Sequence, residues 1–282
     1  MPSEKIDGMN LFLEMLKRNR SSPHLDRALK FAAPLNDHLG INHFWYYRIS
    51  SSGAYSYLGT HEDWNEYCYE HSLTNAFPCL RHPKILGEGI SLMRASPSDT
   101  KYKEVQKIAW DRFQINFNLN LYETFEDGIE AFGFGSRFND HKADERLLNE
   151  LPLLRSFVRA FKENHKKVFS LLEENQVDLV SQMGTEFYKR PMEYSLPLER
   201  GSFLSQLGYQ FILELTPREK QLLKYLASGY PASYIKKQLF LSLRTVENYI
   251  ATLKDKLNCS SKVDLIQKAQ EIMCTGWLHS SK

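Results

Sequence analysis

Thr216-Pro217-Arg218-Glu219 is the most constraining stretch of the chain, because it fixes where a helix starts. A Thr can cap the free N–H groups of a first turn, and Pro fits the first helical position, where its missing N–H costs nothing. A Glu three residues after the Thr completes a capping box. Leu222, Leu223 and Leu226 then give one apolar face, and Gly229 supplies the left-handed residue that commonly ends a helix. A short helix is predicted from about Ala232 to Leu239, with Ile235 and Leu239 turned inward. Phe240-Leu241-Ser242 follows as a tight turn in which Ser242 caps the next helix. In that third helix Val246, Ile250, Leu253 and Leu257 recur at intervals of 4, 3 and 4 residues, one buried stripe. A fourth helix, about Lys262 to Met273, carries Val263, Ile266, Ala269 and Ile272.

Charge sets this tail apart. From Thr216 onward 11 Lys and Arg face 5 Asp and Glu, a balance of +6, whereas the preceding 215 residues hold 25 against 29, a balance of −4. A basic tail on a slightly acidic body suits a protein that grips a polyanion with one end.

The segments LTPREKQLL, LASG and LFLSLRTVENYIATLKDKL resemble the LuxR-type helix-turn-helix family over Leu215 to Met273. The resemblance implies double-stranded DNA as partner, with the third helix in the major groove. Arg244, Thr245, Glu247, Asn248, Ala251 and Thr252 would then face the groove. Val246 and Ile250 would be core, and Arg218, Lys237, Lys254 and Lys256 would contact phosphates. Two departures stand out. Glu247 and Ala251 occupy positions that are often basic in the family, although Glu can accept from cytosine and Asn248 can pair with adenine. Lys236 stands where a small residue usually packs the second helix on the third. A homodimer is expected, through Val263, Ile266 and Ile272 of the fourth helix, since two-fold symmetry reaches two half-sites.

At 282 residues the chain should carry about two domains. Helices are predicted over Asp7–Asn19 and His24–His38, strands over Asn42–Ile49 and Tyr55–Leu58, and a helix over Glu62–His71. A loop-rich stretch covers Ser72–Ser98. A helix over Lys101–Arg112 follows, then a hairpin of Ile115–Phe125 and Ile129–Arg137. A long helical pattern runs from Lys142 to about Gln176, kinked or started near Pro152. The expectation is an α+β sensor domain over 1–180, mainly antiparallel sheet flanked by helices. A linker over 181–210 leads to an all-α four-helix domain over 211–282, with its helix-turn-helix at about 232–251.

The body is similar to the signal-binding domain of acyl-homoserine-lactone regulators in length, mixed sheet and one short motif. Glu62-Asp63-Trp64-Asn65-Glu66-Tyr67 is followed by Phe77-Pro78, thirteen residues after the Trp. In that family a Trp hydrogen-bonds the signal's ring carbonyl and an Asp thirteen residues on accepts from its amide. Trp64 and Pro78 match; Phe77 replaces the Asp, and Cys68 replaces an aromatic residue. The expected ligand-binding residues are Trp64, Cys68, Phe77, Tyr47 and Tyr55 for a small-molecule signal, with Phe44, Trp45, Tyr46 and Tyr57 as further candidates for an aromatic wall. Cys68-x-x-His71 and Cys79-x-x-His82 together form a possible tetrahedral zinc set, an alternative left open beside buried thiols.

No nucleophile elbow, phosphate loop or His-Glu-x-x-His motif occurs, so an enzyme is not expected, nor a cofactor. No apolar run of about 18 residues exists to cross a membrane. The N-terminal MPSEKIDGMN lacks a signal-peptide core, and four cysteines are too few for a disulfide scaffold. The expectation is a cytoplasmic protein with reduced thiols.

Overall fold

The structure is a computed structural model that describes residues 22–93, 100–125, 127–189 and 205–274. The helix expected at Asp7–Asn19 and the stretch 190–204 lie outside these residues. The chain divides into two units, Met1–Tyr194 and Ser195–Lys282.

In the first unit the helix expected over His24–His38 is two helices, α1 (Pro23–Ala32) and α2 (Pro34–Leu39). Pro34 lacks the N–H that would continue the ladder, so the chain restarts there. Gly40, at φ 66°, caps α2 in the left-handed conformation. The next elements are β1 (Ile41–Ser50), β2 (Ala54–Gly59), α3 (Glu62–Glu70), a 3-10 turn (Leu73–Ala76), α4 (Pro83–Leu86) and β3 (Gly89–Leu92). They are followed by α5 (Thr100–Phe113), β4 (Ile115–Phe125) and β5 (Gly128–Arg137). The long helical pattern resolves into α6 (Ala143–Asn149), α7 (Leu151–Asn164) and α8 (Lys166–Glu174). It ends in β6 (Val177–Asp178), α9 (Leu179–Met183) and a 3-10 turn to Tyr188.

The described strands form a six-stranded sheet in the order β3-β4-β5-β1-β2-β6, antiparallel throughout. Its two faces bury different sets of side chains. Phe44, Tyr46, Leu119, Leu121, Phe132 and Phe134 pack against the helices of the α1–α2 and α6–α8 layer. Trp45, Tyr47, Ile49, Ile115, Phe117, Tyr122 and Ala131 face the other way, with Trp64, Tyr102, Met183 and Phe187. A bulge between Phe117 and Leu119 inverts the alternation in β4. Phe117 and Tyr122 therefore share a face despite their odd spacing. Phe44 and Tyr46, candidates for the aromatic wall, belong to the helix-covered face; strand alternation separates them from Trp45 and Tyr47.

In the second unit a 3-10 turn (Gln210–Ile212) precedes α10 (Pro217–Ala227), α11 (Ala232–Gln238), α12 (Leu243–Lys256) and α13 (Lys262–Cys274). The capping box is present: Thr216 accepts from the Glu219 N–H, and Glu219 accepts from the Thr216 N–H at 2.8 Å. At the end of α10, Tyr230 N–H reaches the Tyr225 carbonyl and Gly229 N–H the Leu226 carbonyl, a Schellman motif with Gly229 at φ 80°. Ile212, Leu222, Leu223, Leu226, Ile235, Val246, Leu253, Leu265, Ala269 and Ile272 make one core. The fourth helix departs from the expected stripe at its start, whereas Ala269 and Ile272 are buried on it. Ser261 and Asp264 cap it reciprocally, which turns Leu265 inward and leaves Val263 63% exposed. Ile272 is fully buried in the domain's own core and is not available to a partner.

Candidate functional sites: an aromatic cavity and a helix-turn-helix surface

On the sheet face opposite the α1–α2 layer, β1 and β2 project Trp45, Tyr47, Tyr55 and Tyr57 toward α3 and the loop after it. Trp45 can lie against β5 because its partner there is Gly133; a Cβ at Gly133 would fall inside the indole. α3 opens with His61 as cap, its Nδ1 accepting from Trp64 N–H at 3.3 Å. Glu62 and Asp63 sit in the first turn, where the helix dipole favours carboxylates. Trp64 is buried, edge-on to Phe77 at 6.4 Å between ring centroids and tilted against Phe117 at 5.6 Å. Arg81, itself buried, holds the Phe77 loop by donating to the Phe77 and Leu80 carbonyls, each at 2.9 Å.

These residues enclose a cavity of about 60 Å³, lined by His43, Trp45, Tyr47, Tyr55, Tyr57, Trp64, Asn65, Cys68, Tyr69, Phe77, Cys79, Leu80, Met93 and Phe117. All five residues expected to bind a ligand, Trp64, Cys68, Phe77, Tyr47 and Tyr55, lie on its wall. Sequence reasoning missed His43, Asn65, Tyr69, Leu80, Met93 and Phe117. The strand period placed His43 on the same face as Trp45, and that signal went unused.

The wall carries hydrogen-bonding groups and no ionised one. Burial, with a smaller contribution from His61, lowers the His43 pKa to about 3, so its imidazole is neutral at ordinary pH. Burial pushes the Cys79 thiol up to about 11 and the Cys68 thiol higher still, so both stay protonated. The same desolvation raises Tyr47, Tyr55, Tyr57 and Tyr69. Tyr57 donates to Asn65 Oδ1 at 2.8 Å, and Asn65 in turn donates to the Gly59 carbonyl at 3.0 Å. Tyr47 donates to the Cys79 carbonyl at 3.3 Å and lies 3.1 Å from the Tyr122 hydroxyl. A zinc set does not assemble. Cys68 and Cys79 line the cavity, whereas the exposed His71 stacks on Tyr67 at 3.9 Å and His82 caps α4. Among the described residues no group of three or more His, Cys, Asp or Glu is placed to hold a metal ion.

The second site is the outer surface of α12. Ser242 caps it, accepting from Thr245 N–H at 3.0 Å, and its hydroxyl lies 2.8 Å from Thr245 Oγ1. Val246, Leu253 and Leu257 are buried and Ile250 is half-buried. The opposite face therefore presents Arg244, Glu247, Asn248, Ala251 and Thr252 to solvent. Lys237 is exposed as well, and Lys254 is half-buried. Two of the expected phosphate contacts are engaged within the domain. The Arg218 guanidinium donates to the Leu239 carbonyl and, at 2.9 Å, to Gln221, tying α10 to the end of α11. Lys256 pairs with the buried Glu219 carboxylate at 2.9 Å, tying α12 to the start of α10.

Residues 213–269, which contain this surface, match the family described as bacterial regulatory proteins of the luxR family. The C-terminal domain is of the LuxR type. Over 57 residues the chain is 44% identical to the transcriptional activator protein ExaE of Pseudomonas putida, a match covering 20% of this chain and 27% of that relative. The chain thus spans about a quarter of the length of the curated relative it matches. Among solved structures, one of Escherichia coli SdiA is similar over 95% of this chain and 97% of that one, at 14% identity and a TM-score of 0.37. SdiA in complex with octanoyl-rac-glycerol is similar over 100% of both chains, at 15% identity and a TM-score of 0.33. The LuxR-type domain thus spans α10 to the middle of α13, and no helix among the described residues is long and apolar enough to cross a membrane.

Proposed function

We propose that this chain is a DNA-binding transcriptional regulator that acts as a homodimer. Its first unit senses a small, uncharged molecule and controls the LuxR-type domain. The observation that carries the DNA-binding half is α12, whose buried stripe of Val246, Leu253 and Leu257 leaves the polar residues Arg244, Glu247 and Asn248 outward on a capped helix. Helix N-terminal residues of this kind reach base edges in the major groove. The surrounding excess of basic residues supplies attraction to phosphate.

The cavity's chemistry favours one ligand class. A charged ligand would be buried beside neutral His43, protonated thiols and un-ionised tyrosines, with no counter-ion on the wall. A neutral, largely aromatic or apolar molecule with one or two hydrogen-bonding groups matches it. At about 60 Å³ the space is far below the roughly 300–1,000 Å³ of drug-sized ligand pockets. A ligand of that size has to move wall side chains, and Phe77 is one that is only half-buried.

Native mass spectrometry of the full chain, alone and with a duplex chosen from a random pool, tests the reading. A dimer that carries a co-purified neutral molecule and binds the duplex supports it. A monomer that binds no duplex contradicts it, and favours instead a protein-interaction regulator whose tail sequesters a partner.

A further inference from the structure

Two apolar side chains flank the cap of α12. Phe240 is 89% exposed and Leu243 is 41% exposed. Leu243 is the first residue of α12. On a helix, residues four and eight positions on lie close to the same stripe, which places Leu243 in line with the exposed Glu247 and Ala251. It borders the side that packs inward, since Val246 three residues on is buried and Ile250 seven on is half-buried, but it is not itself part of that core. It is not among the residues that the sequence assigns to the groove face.

We propose that Leu243 reads the C5-methyl group of a thymine in the major groove. This rests on the DNA-binding reading above and adds to it a base and an atom. Thymine is distinguished in the major groove by its methyl group, which apolar side chains contact. An exposed leucine at the first position of a groove-entering helix gains by covering apolar surface there. Glu247 and Asn248 offer hydrogen bonds to cytosine and adenine, and Ala251 is too short to cover a methyl beyond its own turn. The stripe therefore carries one long apolar reader at its N-terminal end and polar readers behind it.

Replacing each thymine of a selected duplex in turn by deoxyuridine removes only the methyl group, and anisotropy with the full chain reads the effect. Burial of one methyl corresponds to roughly a four-fold change in affinity. The expected result is one thymine per half-site whose replacement weakens the wild-type chain by about that factor. Leu243→Ala should bind the thymine duplex more weakly and show no further loss on the uracil duplex. Asn248→Ala should keep the uracil loss. Circular dichroism confirms that the variants are folded. Binding that is indifferent to uracil at every position, or a Leu243→Ala chain with the full uracil loss, overturns this assignment alone. Failure of the wild-type chain to bind any duplex overturns the DNA-binding reading and this assignment with it.

Discussion

Trp45 and Gly133 sit opposite one another on β1 and β5, and the indole occupies the space that any side chain at 133 would need. The floor of the cavity is thus set by the absence of a side chain. Gly133→Ala should drive the Trp45 indole off the sheet, at a cost of about 1–3 kcal/mol, the usual range for overpacking a filled core. Thermal denaturation reads the loss and tryptophan emission reads the displaced ring. A variant as stable as wild type, with unchanged emission, would show that the ring is not held there.

Phe77 bears on ligand choice. It stands where the resemblance to lactone regulators places an Asp, and its ring packs on Trp64, Tyr102 and Phe117. A lactone amide buried there would lose its acceptor at a cost of about 1–3 kcal/mol, roughly a 5- to 150-fold weaker affinity. Calorimetry against acyl-homoserine lactones of several chain lengths should therefore show weak or no binding. Phe77→Ala should destabilise the chain by about 2–3 kcal/mol, less than a fully buried Phe, and should enlarge the cavity. Nanomolar binding of an ordinary lactone by the wild-type chain would mean that another group supplies the acceptor.

Much of this site was legible in the sequence, and the reasons for the rest are physical. Trp64, Cys68, Phe77, Tyr47 and Tyr55 converge as expected because a motif fixed α3 and its loop while alternation fixed β1 and β2. Alternation alone does not say which face holds the cavity, so Phe44 and Tyr46 were as eligible as Trp45 and Tyr47. β3 and β6, of four and two residues, are held by their neighbours in the sheet and carry little signal of their own. At the start of α13 Leu265 rather than Val263 is buried, because the reciprocal cap of Ser261 and Asp264 sets where the helix begins.

The Glu219–Lys256 pair gives the C-terminal domain an acid-sensitive contact. Burial works to raise the Glu219 carboxyl, but hydrogen bonds from Lys256 and from Thr216 outweigh it and hold the group below the usual range. A carboxyl depressed in the folded state contributes its full stability above the unfolded value of about 4.3, and that contribution fades as pH falls through the folded value. Glu219→Gln should lower stability at neutral pH by about 1–2 kcal/mol and flatten the acid limb of the stability curve. An identical acid limb in wild type and variant would show that other carboxyls govern it.

The ends of α10, α11 and α12 each use a left-handed residue: Gly229, Phe240 and Asn258. Glycine and asparagine tolerate that conformation, whereas a bulky side chain is disfavoured there by about 1–2 kcal/mol. Phe240 is almost fully exposed, so it gains little from packing. Phe240→Asn should raise the stability of the domain by about 0.5–1 kcal/mol, read by urea denaturation of the full chain. A loss of stability would show that the Phe240 ring makes a contact that the backbone cost conceals.

The claim that α12 reads bases is tested most directly by Asn248→Ala, with anisotropy measured on a selected duplex and on a random one across a range of salt. Wild type should bind the selected duplex more tightly, with affinity falling steeply as salt rises because phosphate contacts release counterions. The variant should lose about 1–3 kcal/mol on the selected duplex, little on the random one, and keep the same salt slope. Equal losses on both duplexes, or no loss on either, would contradict a base-reading role for the exposed face of α12.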